Sequence, residues 1–261
     1  PTFGLYFFSI ITNNTYFKPK LYFEMRKFNR KNDESREILI ETNYSQNSDG
    51  SCLISYGNTK VICTASVDKD IPRWLLEKGS GWITAEYSML PGSTNTRNKR
   101  ESKLGKQAGR TIEIQRIIGR SLRSVVDLKK LVGFQIIVDC DVIQADGGTR
   151  TASITGGFVA LSLALKKYVN KGILKSDPIR ENIAAISCGI VKGTVMVDLD
   201  YEEDSSAEVD ANFVISEKSG FSEVQITGEE KTFCSNSINE MLDKSQLVIK
   251  EIFKIQKDAI K

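Results

Sequence analysis

The chain has 261 residues, 40% hydrophobic and 26% charged, with a formal net charge of +3 at pH 7. That is the composition of a soluble globular protein long enough to bury a real core, and the charge is too small to announce a nucleic-acid binder by itself. Histidine is absent, which removes Ser-His and Cys-His nucleophiles, HExxH metal sites and any imidazole acid or base.

The first stretch, "PTFGLYFFSIITNNTYFKPKLYFE", is aromatic-rich and unlike the rest of the chain. Its apolar core from Gly4 to Ile11 is far too short to span a bilayer, and it lacks the flanks of a signal peptide. Residues 1–24 are read as an N-terminal extension outside the fold, an over-extended reading frame with Met25 as the start.

From Glu37 the pattern turns strand-like: "EILIETNY", "SCLISYG" and "TKVICTASV" are rich in β-branched residues, and Gly57-Asn58 joins the last two as a hairpin. "GWITAEYSML" reads as a further strand that empties at Pro91-Gly92 into the polar loop "GSTNTRNKRES". A long helix comes next, within "GRTIEIQRIIGRSLRSVVDL", its buried stripe made by Ile114, Ile117, Ile118, Leu122 and Val125. The strand "GFQIIVDCDVIQ" then leads through a glycine turn into a helix that carries Phe158, Leu161 and Leu165 and runs to about Tyr168.

The second half repeats this order. "NIAAISCGIV" and "TVMVDLD" form a hairpin around Lys192-Gly193, "ANFVISE" and "FSEVQIT" are strands, and an amphipathic helix starts at Ser235, a candidate N-cap. Strands followed by helices, twice over and with no linker between, predict an α+β fold of two similar layers packed as one domain over residues 25–261. The five cysteines (Cys52, Cys63, Cys140, Cys188, Cys234) form no CxxC pair, so they are read as reduced, buried and inert, which fits a cytoplasmic setting.

Three stretches could carry chemistry. Between Arg97 and Arg123 lie nine cations: Arg97, Lys99, Arg100, Lys103, Lys106, Arg110, Arg116, Arg120 and Arg123. On a helix the last three arginines fall opposite the isoleucine stripe. A solvated helix face would read the same way, but arginine forks also match phosphate oxygens bidentately, which makes a polyanion such as RNA a reasonable partner.

The second is the turn "DGGTRTAS", which is neither a Walker A loop nor G-x-G-x-x-G. Amides at Gly148, Thr149 and Arg150 before a helix start suit an anion nest, with hydroxyls from Thr149, Thr151 and Ser153 and a full charge from Arg150. A plain strand-to-helix turn capped by its hydroxyls explains the motif equally well.

The third is "VDLDYEEDSSAEVD", where Asp198, Asp200, Glu202, Glu203, Asp204, Glu208 and Asp210 crowd together. If the strand continues, Asp198 and Asp200 share one face, with Asp204 arriving after a turn. Hard oxygen ligands suit Mg²⁺ or Mn²⁺, and crowding raises the pKa of one member. An acidic surface loop is the plainer reading, though Asp198 follows "TVMV" and is expected to be partly buried.

Taken in order, "GWITAEYSMLPGST", "GRTIEIQRIIGRSLR", "DCDVIQADGGTRTASITGG" and "DLDYEEDSSAEVDANF" resemble the ribonuclease PH family, phosphorolytic 3′→5′ exoribonucleases that trim transfer-RNA precursors. The likeness runs from about Met25 to the C-terminus. It implies a ribosomal-protein-S5-domain-2-like fold, duplicated as in the ribonuclease PH and polynucleotide phosphorylase core, and a homohexamer built as a trimer of dimers. By the same resemblance Arg110 and the Gly148-Thr149-Arg150 turn hold orthophosphate as co-substrate. Asp198 and Asp204 match the catalytic carboxylates that bind a divalent metal, with Mg²⁺ the expected ion, or assist departure of the 3′ oxygen. Arg97, Arg100 and Arg116 match arginines of the RNA path or of ring assembly. The partners implied are tRNA precursors and other RNA 3′ ends, ribosomal RNA among them, and further copies of the chain; no membrane or DNA is implied.

The chain departs from the family pattern at Gly92, where arginine is frequent, and at "VQITGEE" (Val224 to Glu230), where "VQGTAE" is common. Two alternatives stand beside this reading: a catalytically silent RNA-binding subunit of an exosome-like ring, and a small-molecule phosphotransferase. Phosphorolysis suits the missing histidine, because orthophosphate is already ionised and needs no base. What it does need is cations, since two unit charges 4 Å apart repel by about 4 kcal/mol at an effective dielectric of 20.

Overall fold

A computed structural model describes residues 26–261 except Asp70, Pro72 and Glu230, so the expectation for residues 1–24 lies outside the described residues. Two sheets organise the protein. The first has the order β1-β2-β3-β5-β4, built from β1 (Ile38–Thr42), β2 (Gly50–Tyr56), β3 (Thr59–Asp68), β4 (Trp82–Met89) and β5 (Gln135–Gln144). The second has the order β7-β6-β8-β9, built from β6 (Ile183–Val191), β7 (Thr194–Val197), β8 (Val209–Ser216) and β9 (Gly220–Gly228). Every pairing is antiparallel except β4 with β5.

The helices are α1 (Arg73–Lys78), α2 (Glu101–Leu104), α3 (Gly109–Ser124), α4 (Thr149–Asn170), α5 (Tyr201–Ser205) and α6 (Ser235–Ile260). Of these, α4 is the shared centre: it packs on β2, β3 and β5 of one sheet and on β6 and β8 of the other. A helix covered on both sides should be apolar or small all round rather than striped. Accordingly Ala152, Ile154, Gly156, Gly157, Phe158, Leu161 and Leu165 are all buried. Gly156 is required for close approach, since a Cβ there would lie 2.6 Å from Ile54 Cγ2 and 2.8 Å from Cys63 Sγ.

The expected α3 stripe is present, with Ile114, Ile117, Ile118 and Leu122 buried within the helix and Val125 just past its end. The repeat, however, is only approximate. The first half inserts β4 and α3 to make its parallel pair, and the second half goes from β9 straight to α6. The short helices α1, α2 and α5 have no apolar period long enough to show in sequence. The N-cap of α6 is Cys234 rather than Ser235, with no side-chain cap bond. Cys234 is exposed, against expectation, while Cys52, Cys63, Cys140 and Cys188 are buried free thiols. Among the described residues no helix is long and apolar enough to cross a membrane.

Candidate active site

The site forms where the β5–α4 turn meets the loop after β7. Gly147 and Gly148 both adopt left-handed backbone (φ 73° and 67°), and Gly148 is the N-cap of α4. A side chain at Gly147 would strike Leu199 O at 2.4 Å, so the turn rests directly on the acidic segment. The first amides of α4 have no partner inside the helix and carry its positive dipole end, and Arg150 sits in that first turn. Of the two readings of the hydroxyls, Thr151 and Ser153 follow the helix-serving one. Thr151 donates to Gly148 O at 2.9 Å and Ser153 to Thr149 O at 2.8 Å, so both serve the helix; Thr149 meets the Tyr87 hydroxyl at 2.9 Å.

Asp198 is locked. It is fully buried and left-handed (φ 56°), and Arg36 donates to both of its carboxylate oxygens. Arg30 Nη1 adds a contact at 3.5 Å. Burial alone would push this carboxyl up, but the Arg36 and Arg30 guanidiniums outweigh it and hold it below its ordinary range. The strand reading of this stretch is wrong in one respect: β7 ends at Val197, and Asp200 caps α5 instead. Asp200 accepts from the amides of Glu202 and Glu203, while the Glu203 side chain returns to the Asp200 amide, a complete capping box. Glu203 also pairs with Arg26, Glu202 with Lys27 and Glu208 with Lys231.

Five of the seven crowded carboxylates are therefore spent on structure, which leaves Asp204 and Asp210. Burial pushes Asp204 up, opposed by the Arg110, Arg150 and Arg36 charges. Burial and then the Asp204 charge push Asp210 up to about 6, against the Arg150 charge and an amide hydrogen bond from Asn212. The structure thus gathers Asp204, Asp210, Arg110 and Arg150 at the mouth of the glycine turn. It does not bring Asp198 to Asp204 as a free ligand pair. Among the described residues no cluster of three or more His, Cys, Asp or Glu is arranged to hold a metal ion. Asp204 with Asp210 is the donor set that fits one, since Mg²⁺ is commonly held by one or two carboxylates together with substrate phosphates.

Next to this mouth, a cleft of about 1160 Å³ is lined by Arg100, Lys106 and Arg110, and also by Glu86, Asp139 and Asp141. Burial raises the last two, and Glu86 adds repulsion. Arg97, Arg100 and Arg116 are exposed and make no ion pair among the described residues. Arg123 is removed from the cationic face: it stacks 4.4 Å over Trp82 and donates to Ile83 O at 2.7 Å. Sequence reading missed Arg26, Arg30, Arg36, Tyr87 and Gln225, whose partners lie far away in the chain. It counted Asp210 without singling it out.

A chain that folds into these two sheets around α4 has a family match. Residues 34–167 match the 3′ exoribonuclease family, domain 1, and residues 181–246 match domain 2 of the same family. The chain belongs to the 3′ exoribonuclease family. Among curated relatives, two proteins named Ribonuclease PH, from Caulobacter vibrioides strains NA1000/CB15N and ATCC 19089/CB 15, are each 51% identical over 236 residues. That alignment covers 90% of this chain and 99% of each relative. Solved structures of similar fold include rice (Oryza sativa) Rrp46, with TM-score 0.73 and 17% identity over 90% of this chain and all of that one. An Archaeoglobus fulgidus exosome chain, from a structure with RNA bound to the active site, gives TM-score 0.71 and 22% identity over 88% and 92% of the two chains.

Proposed function

We propose that the protein shortens RNA from its 3′ end by phosphorolysis, releasing nucleoside diphosphates, with tRNA precursors the substrates. The observation that carries this reading is the placement of Arg110, Arg150 and the free amides of α4 around carboxyls that burial raises. The close relation to proteins named Ribonuclease PH over nearly their whole length supports the same activity.

Orthophosphate seats on the Arg150 guanidinium and the amides of Gly148, Thr149 and Arg150, with Arg110 offsetting its repulsion from the RNA phosphate. A phosphate oxygen forms a bond to the terminal phosphorus, the P–O3′ bond breaks, and O3′ of the preceding nucleotide takes a proton. Asp204 and Asp210, whose carboxyls burial holds above their ordinary range, are the donors through their protonated fraction. In place of that proton, a divalent cation on the same two carboxylates, Mg²⁺ by its preference for oxygen, would stabilise the charge on the departing O3′. Asp198 acts through position: with Arg36 it fixes the loop that carries Asp204.

Arg97, Arg100 and Arg116, exposed and without an ion pair among the described residues, are free to meet RNA phosphates or a neighbouring subunit of a homohexamer. The four buried free thiols suit the cytoplasm. A silent ring subunit would have no use for an assembled seat, and its support is confined to neighbours that share only the fold. Running the reaction backwards tests the proposal. With nucleoside diphosphate in excess, RNA 3′ ends should lengthen and orthophosphate should appear; neither happening would contradict it.

A further inference from the structure

Arg150 does not reach the anion seat unsupported. Its Nη1 donates to Gln225 Oε1 on β9, and Gln225 Nε2 donates in turn to Glu113 Oε1 on α3 at 2.9 Å. Glu113 itself stays 3.9 Å from Arg150 Nη1. The relay therefore joins three elements, α4 and α3 from the first half and β9 from the second. Its footing is firm: β9 runs along α3, with Ser222 bonded to Ser124 at 3.1 Å and Glu223 paired with Arg120 at 3.4 Å.

The polarity of this relay has one stable sense. A primary amide offers a donor end and an acceptor end; the carboxylate of Glu113 takes the donor end, which leaves the oxygen facing the guanidinium. Turning the amide over would set NH₂ against Arg150 and oxygen against Glu113, two repulsions in place of two bonds. Because the group touching Arg150 is a neutral amide, Glu113 is kept at 3.9 Å, at the outer edge of an ion pair, rather than in direct contact with the guanidinium. The remaining N–H groups of Arg150 make no hydrogen bond to protein among the described residues, so they stay available for an anion.

We propose that Gln225 is a positioning residue that holds the Arg150 guanidinium in place for orthophosphate, with Glu113 setting which way its amide faces. This rests on the reading of Arg150 as part of the phosphate seat. Gln225 belongs to the Val224-Gln225 pair that this strand shares with the family pattern, so the seat is supported from across the protein.

The test is steady-state kinetics with phosphate and RNA varied separately. Gln225→Leu should raise KM for phosphate about tenfold, the size expected for losing a hydrogen bond to a charged group. Both kcat and KM for RNA should stay within about twofold. Glu113→Ala should produce a smaller rise of the same kind, and no further rise in the Gln225→Leu background, because it acts through Gln225. Equal loss in kcat and KM, or additive effects of the two changes, would overturn the proposal. Arg150→Ala separates the two layers. If its affinity for inorganic phosphate, measured by equilibrium binding, equals the parent's, the phosphate seat itself is misplaced; if that affinity falls while KM for phosphate in Gln225→Leu is unchanged, only the positioning role fails. Should Gln225→Leu lose the fold, Glu113→Ala, at a half-exposed side chain, gives the same reading by itself: a selective rise in KM for phosphate supports the relay and an unchanged value refutes it.

Discussion

Arg36 grips Asp198 at three points in the protein interior. Its backbone N and its Nε donate to Oδ2 at 2.7 and 2.9 Å, and Nη2 donates to Oδ1 at 2.7 Å. The same guanidinium donates to the carbonyl oxygens of Asp146, Gly147 and Leu199. One side chain thereby ties the N-terminal strand region to both the glycine turn and the acidic loop. It also holds Asp198 in a left-handed conformation that a non-glycine residue adopts at some cost.

Removing one partner of such a pair leaves a buried uncompensated charge. Arg36→Met should lower unfolding stability by about 3–5 kcal/mol, measured by urea denaturation. Asp198 sits below its ordinary pKa, so the pair's contribution is intact above the usual carboxylate range and lost as pH falls through its lowered value. A change of under about 1 kcal/mol would mean the contact resembles an exposed pair.

Asp210 works in the opposite sense. Its folded pKa, about 6, lies above the unfolded value, so the folded state binds the proton more tightly. Stability attributable to this group should fall as pH rises from about 4 to 6 and stay level above that. In chelator-treated buffer, Asp210→Asn should be more stable than the parent at pH 7.5, by on the order of 3 kcal/mol, with the difference vanishing near pH 4. Parallel stability curves for the two proteins would show that Asp210 is not perturbed.

How much of this was legible in the sequence depends on how far each contact reaches. Strands, α3, α4 and α6 announced themselves through period and β-branching, because a sheet face or helix stripe is local information. The glycine turn was visible as a strand-to-helix turn for the same reason, and Gly147 and Gly148 take the left-handed backbone it needs. The acidic segment was visible only as a crowd. The apolar run before Asp198 marks it as partly buried, but nothing local shows that Arg36, 162 residues away, takes it, or that Asp204 is left beside Arg110 and Arg150. The same applies to Arg123, which looked like its neighbours Arg116 and Arg120 until Trp82 came to lie beneath it.

Arg150→Ala should abolish phosphate-dependent trimming while leaving RNA binding within about threefold, because the lost group contacts the small anion rather than the RNA chain. Arg150→Lys should restore little, since an ammonium cannot present a bidentate fork. Filter binding and trimming assays on the same preparations check both. Loss of RNA binding alongside activity would assign Arg150 to the RNA path or to folding.

Asp204→Asn should lower turnover by about 10²- to 10⁴-fold, the range for losing a positioned acid or base, with RNA affinity nearly unchanged. Single-turnover trimming under saturating phosphate measures this. Turnover close to that of the parent would remove Asp204 from the chemistry.

The most direct test of the central claim is the dependence of trimming on orthophosphate. End-labelled tRNA precursor is incubated with the purified protein in buffer with and without that ion, and the released nucleotides are resolved. The account requires shortening only when phosphate is present, with nucleoside diphosphates as product. Equal shortening in phosphate-free buffer, releasing monophosphates, would contradict it.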